Sequence, residues 1–195
     1  MPCPHYDIKI VQRSNHQSAV ASAAYQSGER LFSEYDQKQK YYSNKSEVVY
    51  KEVLLPANAP SEYKNRNVLW NSAEAAEKKW NSQLARRIVL AIPRKIPKEQ
   101  YADLIRDYCQ NFFVSKGMCC DFAIHNKGDR NPHAHILLTM RAIDENGKWC
   151  PKFRKIYDLD ENGNHIRLPS GSYKSHKENT VDWNEQKYAE IWRQG

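Results

Sequence analysis

Three histidines with the spacing His125-x7-His133-x-His135 are the residues of this chain best suited to hold a metal ion. Side chains two apart on a strand project to one face, so His133 and His135 share a face. If residues 118–125 and 132–140 are strands joined as a hairpin centred near Asp129, residue 125 lies opposite residue 133. Three imidazoles then converge on one point. Neutral imidazole suits zinc, manganese, nickel and similar ions. Three protein ligands leave coordination positions open, as a catalytic metal requires. A lone histidine on a strand would be read as an ordinary polar residue; three in register are read as a metal site. Asp121 shares parity with His125 and is read as a solvated strand-end residue, with a place behind the ligands as the alternative. His5, His16, His165 and His176 lack a partner pattern and read as surface residues.

A second chemistry-bearing group is Tyr25, within the alanine-rich run Ser18-Ala-Val-Ala-Ser-Ala-Ala-Tyr25. On a helix, Val20, Ala24, Ser27 and Leu31 form one stripe, and Tyr25 sits about a third of a turn off it. Its hydroxyl is therefore expected to be accessible, with small neighbours leaving room for a bulky ligand. The chain has 12 tyrosines, so residue chemistry alone does not single this one out.

These residues need elements to position them. Residues 6–11 alternate as a half-buried strand does, and Ser14 or Ser18 can cap a helix over 19–30 that ends near Gly28. Residues 33–46 show no clear period. A strand is expected over 47–55, a helix from about 63 to 80, and a strand over 84–92 covered on both faces. Tyr101, Leu104, Ile105, Tyr108, Cys109, Phe112 and Phe113 recur at helical spacing and predict a helix ended by Gly117. After the histidine hairpin, residues 141–179 are loop-rich. Asn146-Gly147 and Asn162-Gly163 can each close a hairpin there. A last amphipathic helix is expected over about 181–193. The mixture lacks a regular βαβ rhythm and predicts an α+β fold with a central antiparallel sheet of about five strands flanked by helices.

Lys and Arg number 30 against 23 Asp and Glu, a net charge of +7, which favours a polyanionic partner. With 195 residues the chain is read as one domain, the N-terminal part of a longer protein. Its five cysteines are odd in number and contain no C-x-x-C pair, so neither disulfides nor a cysteine zinc site are expected. There is no signal-peptide run at the N-terminus and no apolar run of membrane-spanning length, so a cytoplasmic location without membrane insertion is expected.

Several segments, in order, give the chain a resemblance to a known family. They are Ile10-Val-Gln-Arg-Ser14, the run ending at Tyr25, Glu52-Val-Leu-Leu-Pro-Ala-Asn-Ala-Pro60 and Leu69-Trp-Asn-Ser-Ala-Glu-Ala-Ala-Glu77. Gln83-Leu-Ala-Arg-Arg87, Ala91-Ile-Pro93, Ala123-Ile-His125 and His133-Ala-His-Ile-Leu-Leu-Thr139 complete the set. Together they resemble the MobA/MobL family of plasmid mobilization relaxases, within the larger HUH endonuclease group. The resemblance spans residues 8–140 and leaves the tail from about 141 poorly covered. Arg87 stands where an acidic residue is expected.

The resemblance implies site- and strand-specific nicking and rejoining of single-stranded DNA at a transfer origin. Tyr25 would be the nucleophile, with His125, His133 and His135 holding a divalent ion, manganese or magnesium first and zinc or nickel as stand-ins. It implies a 5′-phosphotyrosine intermediate, and accessory transfer proteins or a secretion-system coupling protein as partners. A phenol has a pKa of ~10 and needs help to lose its proton. Glu74, inside a family-like segment, is the candidate for that help; Glu77 is read as part of a solvated helix face beside Lys78 and Lys79. Arg13, Arg86, Arg87, Lys127 and Arg130 lie near motif segments and are candidates for phosphate contacts. Tyr41, Tyr42 and Trp149 are candidates for base stacking, with packing as the equal alternative. The alternatives are a rolling-circle initiator or transposase of the same group, which carries its tyrosine after the histidines, a non-catalytic DNA-binding module, and a zinc hydrolase.

Overall fold

Strand alternation organises the molecule. The computed structural model describes residues 5–42, 47–128 and 131–194. Its central sheet contains β1 (Tyr6–Gln12), β4 (Val48–Leu54), β5 (Gln83–Ala91), β6 (Cys120–His125) and β7 (His133–Thr139). The order across it is β1-β5-β7-β6-β4 and every neighbouring pair is antiparallel. This is the expected α+β architecture with five strands. Two small ribbons lie outside it, β2 (Leu31–Ser33) with β3 (Lys38–Lys40), and β8 (Phe153–Tyr157) with β9 (Ser175–Asn179).

One face of the sheet packs on α3 (Tyr101–Phe112) and α4 (Lys187–Gln194). Its core joins Ile88, Phe122, Ile124, Ile136 and Leu138 to Ile105, Phe113, Trp183 and Trp192. The apolar stripe predicted for α3 is the surface that this core buries.

The other face receives α1 (Ala19–Ser27) and α2 (Arg66–Ala76). Ser18 caps α1, accepting from the Ala21 N–H at 3.1 Å, and Gly28 ends it at φ 67, where glycine is free to turn left-handed. Ala19, Ala23 and Ala24 are fully buried. Such small side chains bring the α1 backbone close to the sheet.

A buried polar network locks this face. Arg66 Nε donates to both oxygens of Asp121, at 2.9 and 2.8 Å, and Trp70 Nε1 donates to the same carboxylate at 2.8 Å. Arg66 Nη1 reaches Glu29 at 2.9 Å. Asp121 is fully buried, not the solvated strand-end residue expected from its position. Burial pushes its carboxyl above the ordinary range, against the opposing pull of Arg66. Glu77 is likewise buried, bonded to Arg141 at 2.7 Å and Lys152 at 3.1 Å, and does not lie on a solvated face.

Two helices are shorter than their sequence pattern. α2 begins at Arg66 because the Asn65 side chain accepts from the N–H groups of Asn67 and Val68. At its other end, Arg13 Nη2 takes the Glu74 carbonyl at 3.1 Å and Nη1 takes that of Glu77, so the terminal carbonyls bond a side chain instead of a next turn. The last helix starts at Lys187, well after residue 181. Trp183 is buried beside Gly117, and its carbonyl accepts from Arg86 at 3.3 Å, which removes it from a helical ladder.

The region 33–46, without a period in sequence, holds β3 and the last residue of β2, while residues 43–46 lie outside the described residues. Asn146-Gly147 and Asn162-Gly163 do form turns, closed by the bridges Ile143–Trp149 and Leu159–His165. Cys109, Cys119, Cys120 and Cys150 are free thiols, and burial pushes that of Cys119 up to about 12. Among the described residues no helix is long and apolar enough to cross a membrane.

Candidate active site

The β6–β7 register pairs His125 with His133 and Ala123 with His135. Parity then brings all three histidines to the α1 face. Their ring centroids are 4.4 Å apart for His125–His135, 5.1 Å for His133–His135 and 5.5 Å for His125–His133. One nitrogen from each ring lies within 4.8 Å of the others, a spacing that a single ion can bridge. An all-imidazole set fits a transition ion; magnesium prefers oxygen ligands in an octahedron.

The rings are oriented from behind. His133 Nδ1 lies 2.9 Å from the Asn131 carbonyl. A carbonyl only accepts, so Nδ1 carries the hydrogen in that bond and Nε2 is the nitrogen with a lone pair to offer. His125 Nε2 bonds the Gln26 carbonyl at 2.7 Å, which ties the ligand strand to the residue after Tyr25. Glu47 places Oε1 3.6 Å from His125 Nδ1 and Oε2 3.3 Å from Lys127. Sequence reasoning missed Glu47, since pairing of β4 with β6 is a long-range fact that no local pattern records.

Tyr25 sits on the last turns of α1 and is 42% exposed. Its ring lies edge-on to His135, centroids 6.2 Å apart, and edge-on to Tyr42 at 5.4 Å. Tyr25 and His135 share a cavity of about 560 Å³ that also reaches Arg13 and Arg87. A tyrosine, one histidine of the cluster and two arginines thus line one space.

Glu74 is not placed as a proton acceptor for Tyr25. It is 3% exposed, and its Oε1 accepts from Ser18 Oγ at 2.7 Å and from the Val20 N–H at 3.0 Å. A carboxylate there stabilises the positive end of α1 and fixes the helix that presents the tyrosine.

The other candidates divide. Arg87 points to the histidine face. Arg86, its neighbour, points to the opposite face, where it is buried, bonds Asn184 Oδ1 at 2.9 Å and lies over the Trp192 ring at 5.0 Å. Burial pushes its guanidinium down to about 10. It is a core-spanning cation and is not brought to the site. Arg13 reaches the cavity while its guanidinium caps α2. Lys127 lies beside His125 through Glu47. Arg130 and the hairpin centre at Asp129 fall outside the described residues.

Of the aromatic candidates, Tyr42 lines the cavity. Tyr41 carries the Arg30 guanidinium over its ring at 4.7 Å. Trp149 packs, stacked on Tyr63 at 5.5 Å with its indole bonded to Ser72 at 2.9 Å. His16, read as a surface residue, lines the cavity with Tyr35 and Trp80.

Comparison with known proteins places this arrangement. The model of the MobA/MobL family matches residues 17–195. A conjugal transfer protein TraA of Agrobacterium fabrum is 33% identical over 181 residues, covering 88% of this chain and 16% of that protein. A probable mobilization protein MobA of Bifidobacterium longum is 32% identical, across 92% of this chain and 33% of that protein. The chain therefore spans well under two thirds of the curated relatives it matches. A solved structure described as the molecular basis of vancomycin resistance transfer in Staphylococcus aureus superposes with a TM-score of 0.80 and 32% identity. That match covers 97% of this chain and 86% of the other. With a family match over almost its whole length and a shared fold at this identity, the chain belongs to the MobA/MobL family.

Proposed function

We propose that this chain is the nicking module of a conjugative relaxase, cutting and rejoining one strand of DNA at a transfer origin by metal-dependent transesterification. The observation that carries the reading is the meeting of Tyr25 with His135 of the three-histidine cluster in one open, cation-lined cavity. The MobA/MobL membership and the transfer-related names of the relatives support it.

A phosphodiester is anionic and repels an incoming oxyanion. His125, His133 and His135 would hold a divalent transition-metal ion, whose chemistry is to withdraw charge from a non-bridging phosphate oxygen. Arg87 lines the same cavity and would draw the backbone phosphates into it. Tyr25 Oη attacks phosphorus in line, an Oη–P bond forms and the bond from phosphorus to the 3′-oxygen breaks. The phenolic proton of the partly exposed Tyr25 passes to solvent, and solvent returns a proton to the departing 3′-oxygen, which ends as a hydroxyl. No water is consumed, so attack by the 3′-hydroxyl on the phosphotyrosine rejoins the strand. Glu74 contributes by fixing the first turn of α1, and Gln26 by tying the end of that helix to His125.

Incubating labelled single-stranded oligonucleotides that tile the transfer origin of the host element, with and without manganese, tests the reading. A discrete nick that chelation stops and added manganese restores is the expected result. Undiminished nicking in excess chelator, after verified metal removal, contradicts it.

A further inference from the structure

The cavity has a second wall that the nicking chemistry leaves unused. Trp80, in the turn after α2, is 58% exposed, and its ring meets His16 edge-on with centroids 5.6 Å apart. Tyr35, between β2 and β3, is 61% exposed, and the Arg13 guanidinium lies 4.4 Å from its ring centroid. All four residues line the cavity that holds Tyr25 and His135. Trp70, Trp183 and Trp192 are buried and Trp149 is half-buried against Tyr63, so Trp80 stands apart in leaving its indole in water.

Both rings are braced from behind. Arg13 is itself buried and is tied to the carbonyls of Glu74, Glu77 and Lys79, the last of these next to Trp80. The Ser82 N–H closes the turn onto the Lys79 carbonyl at 3.1 Å. His16 is held at φ 57, a conformation that costs a residue with a Cβ energy, by its N–H bond to the Arg13 carbonyl at 2.8 Å. Aromatic faces fixed on a rigid support, beside guanidinium groups, suit the flat face of an unpaired base. A base inside a duplex keeps its faces covered by its neighbours, so the matching ligand is single-stranded.

Resting on the nicking reading, we infer that Trp80 braced by His16, with Tyr35 braced by Arg13, forms a stacking platform for nucleobases flanking the phosphate presented to Tyr25. These residues position the strand and take no part in bond making. Stacking recognises the π-face that every base has, so the platform is tolerant of sequence and sensitive to the presence of a base.

The test compares binding of the full chain to fluorescein-labelled dT12 and to a 12-mer of equal charge built wholly from abasic sites. Wild type should bind dT12 more tightly and show quenching of exposed tryptophan emission with that strand alone. Trp80→Ala should weaken dT12 binding at least about fivefold, equivalent to about 1 kcal/mol, with abasic binding unchanged. Trp80→Phe should restore most of the loss, and Tyr35→Ala should act in the same direction as Trp80→Ala. Equal losses on both strands, or no loss on either with an unchanged melting curve, would overturn the platform. Formation of the covalent adduct by wild type is scored separately. An adduct without base-dependent binding sinks the platform alone; base-dependent binding without an adduct sinks the nicking reading and leaves the platform standing.

Discussion

Toward α3 and α4 the sheet presents Ile88, Phe122, Ile124, Ile136 and Leu138, all buried; toward α1 and α2 the same strands present Arg87, Asp121, His125 and His135. Arg87, Asp121, His125 and His135 are each the strand neighbour of a residue in the apolar set. The first face gains stability from apolar area removed from water. The second carries a buried carboxylate and converging imidazoles, which burial disfavours unless they are paired. Its apolar packing includes Leu69, Trp70 and Leu137. One continuous backbone thus lets a stable face support an expensive one, and single-residue steps along a strand cross from one purpose to the other.

Neighbours 135 and 136 should break that comparison most sharply. His135→Ala should bring nicking to background and weaken metal binding, with the metal-free melting temperature nearly kept. Ile136→Ala should cost about 2–5 kcal/mol of stability by leaving a cavity, while protein that remains folded keeps its metal affinity. Calorimetric metal titration and thermal melts on both variants check the contrast. A large loss of stability in the first and of metal affinity in the second would show that the faces are not separable.

The pair 86 and 87 should show the same division more quietly. Arg86→Ala loses packing on Trp192 and two hydrogen bonds, and should cost about 1–3 kcal/mol with DNA affinity unchanged. Arg87→Ala should leave stability within about 1 kcal/mol and reduce the slope of log affinity against log salt by about one. Anisotropy titrations at several salt concentrations separate them; the reverse pattern would place the DNA on the α3 face.

The smallest effect concerns the polar network. Burial raises the Glu29 carboxyl, but bonds from Lys51 and the charge of Arg66 outweigh it and hold the group below its ordinary 4.5. A carboxyl depressed in the folded state contributes stability that is present above 4.5 and is lost as pH falls through the folded value. Glu29→Gln should therefore flatten the start of acid unfolding below pH 4.5, followed by circular dichroism. An unchanged acid limb would mean that the network adds nothing through this group.

Much of this division was legible in sequence, and the exceptions share a cause. The α3 stripe and the His125–His133 hairpin follow from local periodicity, which one strand pair or one helix can express alone. Arg86 was misplaced because β5 is covered on both faces, so its pattern does not say which side holds the site. Asp121 looked exposed because its partners, Arg66 and Trp70, lie more than 50 residues away. Trp80 and Tyr35 sit in turns, where no period exists. The only hint was a tryptophan in the polar setting Lys78-Lys79-Trp80-Asn81-Ser82. The early end of α2 and the late start of α4 each come from an arginine that captures carbonyls across the fold.

The central claim is that the oxygen of Tyr25, held against the histidine cluster by α1, carries the DNA. Trapping the covalent complex on a nicked oligonucleotide, digesting it and mapping the modified peptide by mass spectrometry tests this directly. The account predicts the nucleotide mass on Tyr25 and no adduct from a folded, metal-binding Tyr25→Phe variant. A nucleotide on any other residue, or an adduct that survives in Tyr25→Phe, would contradict it.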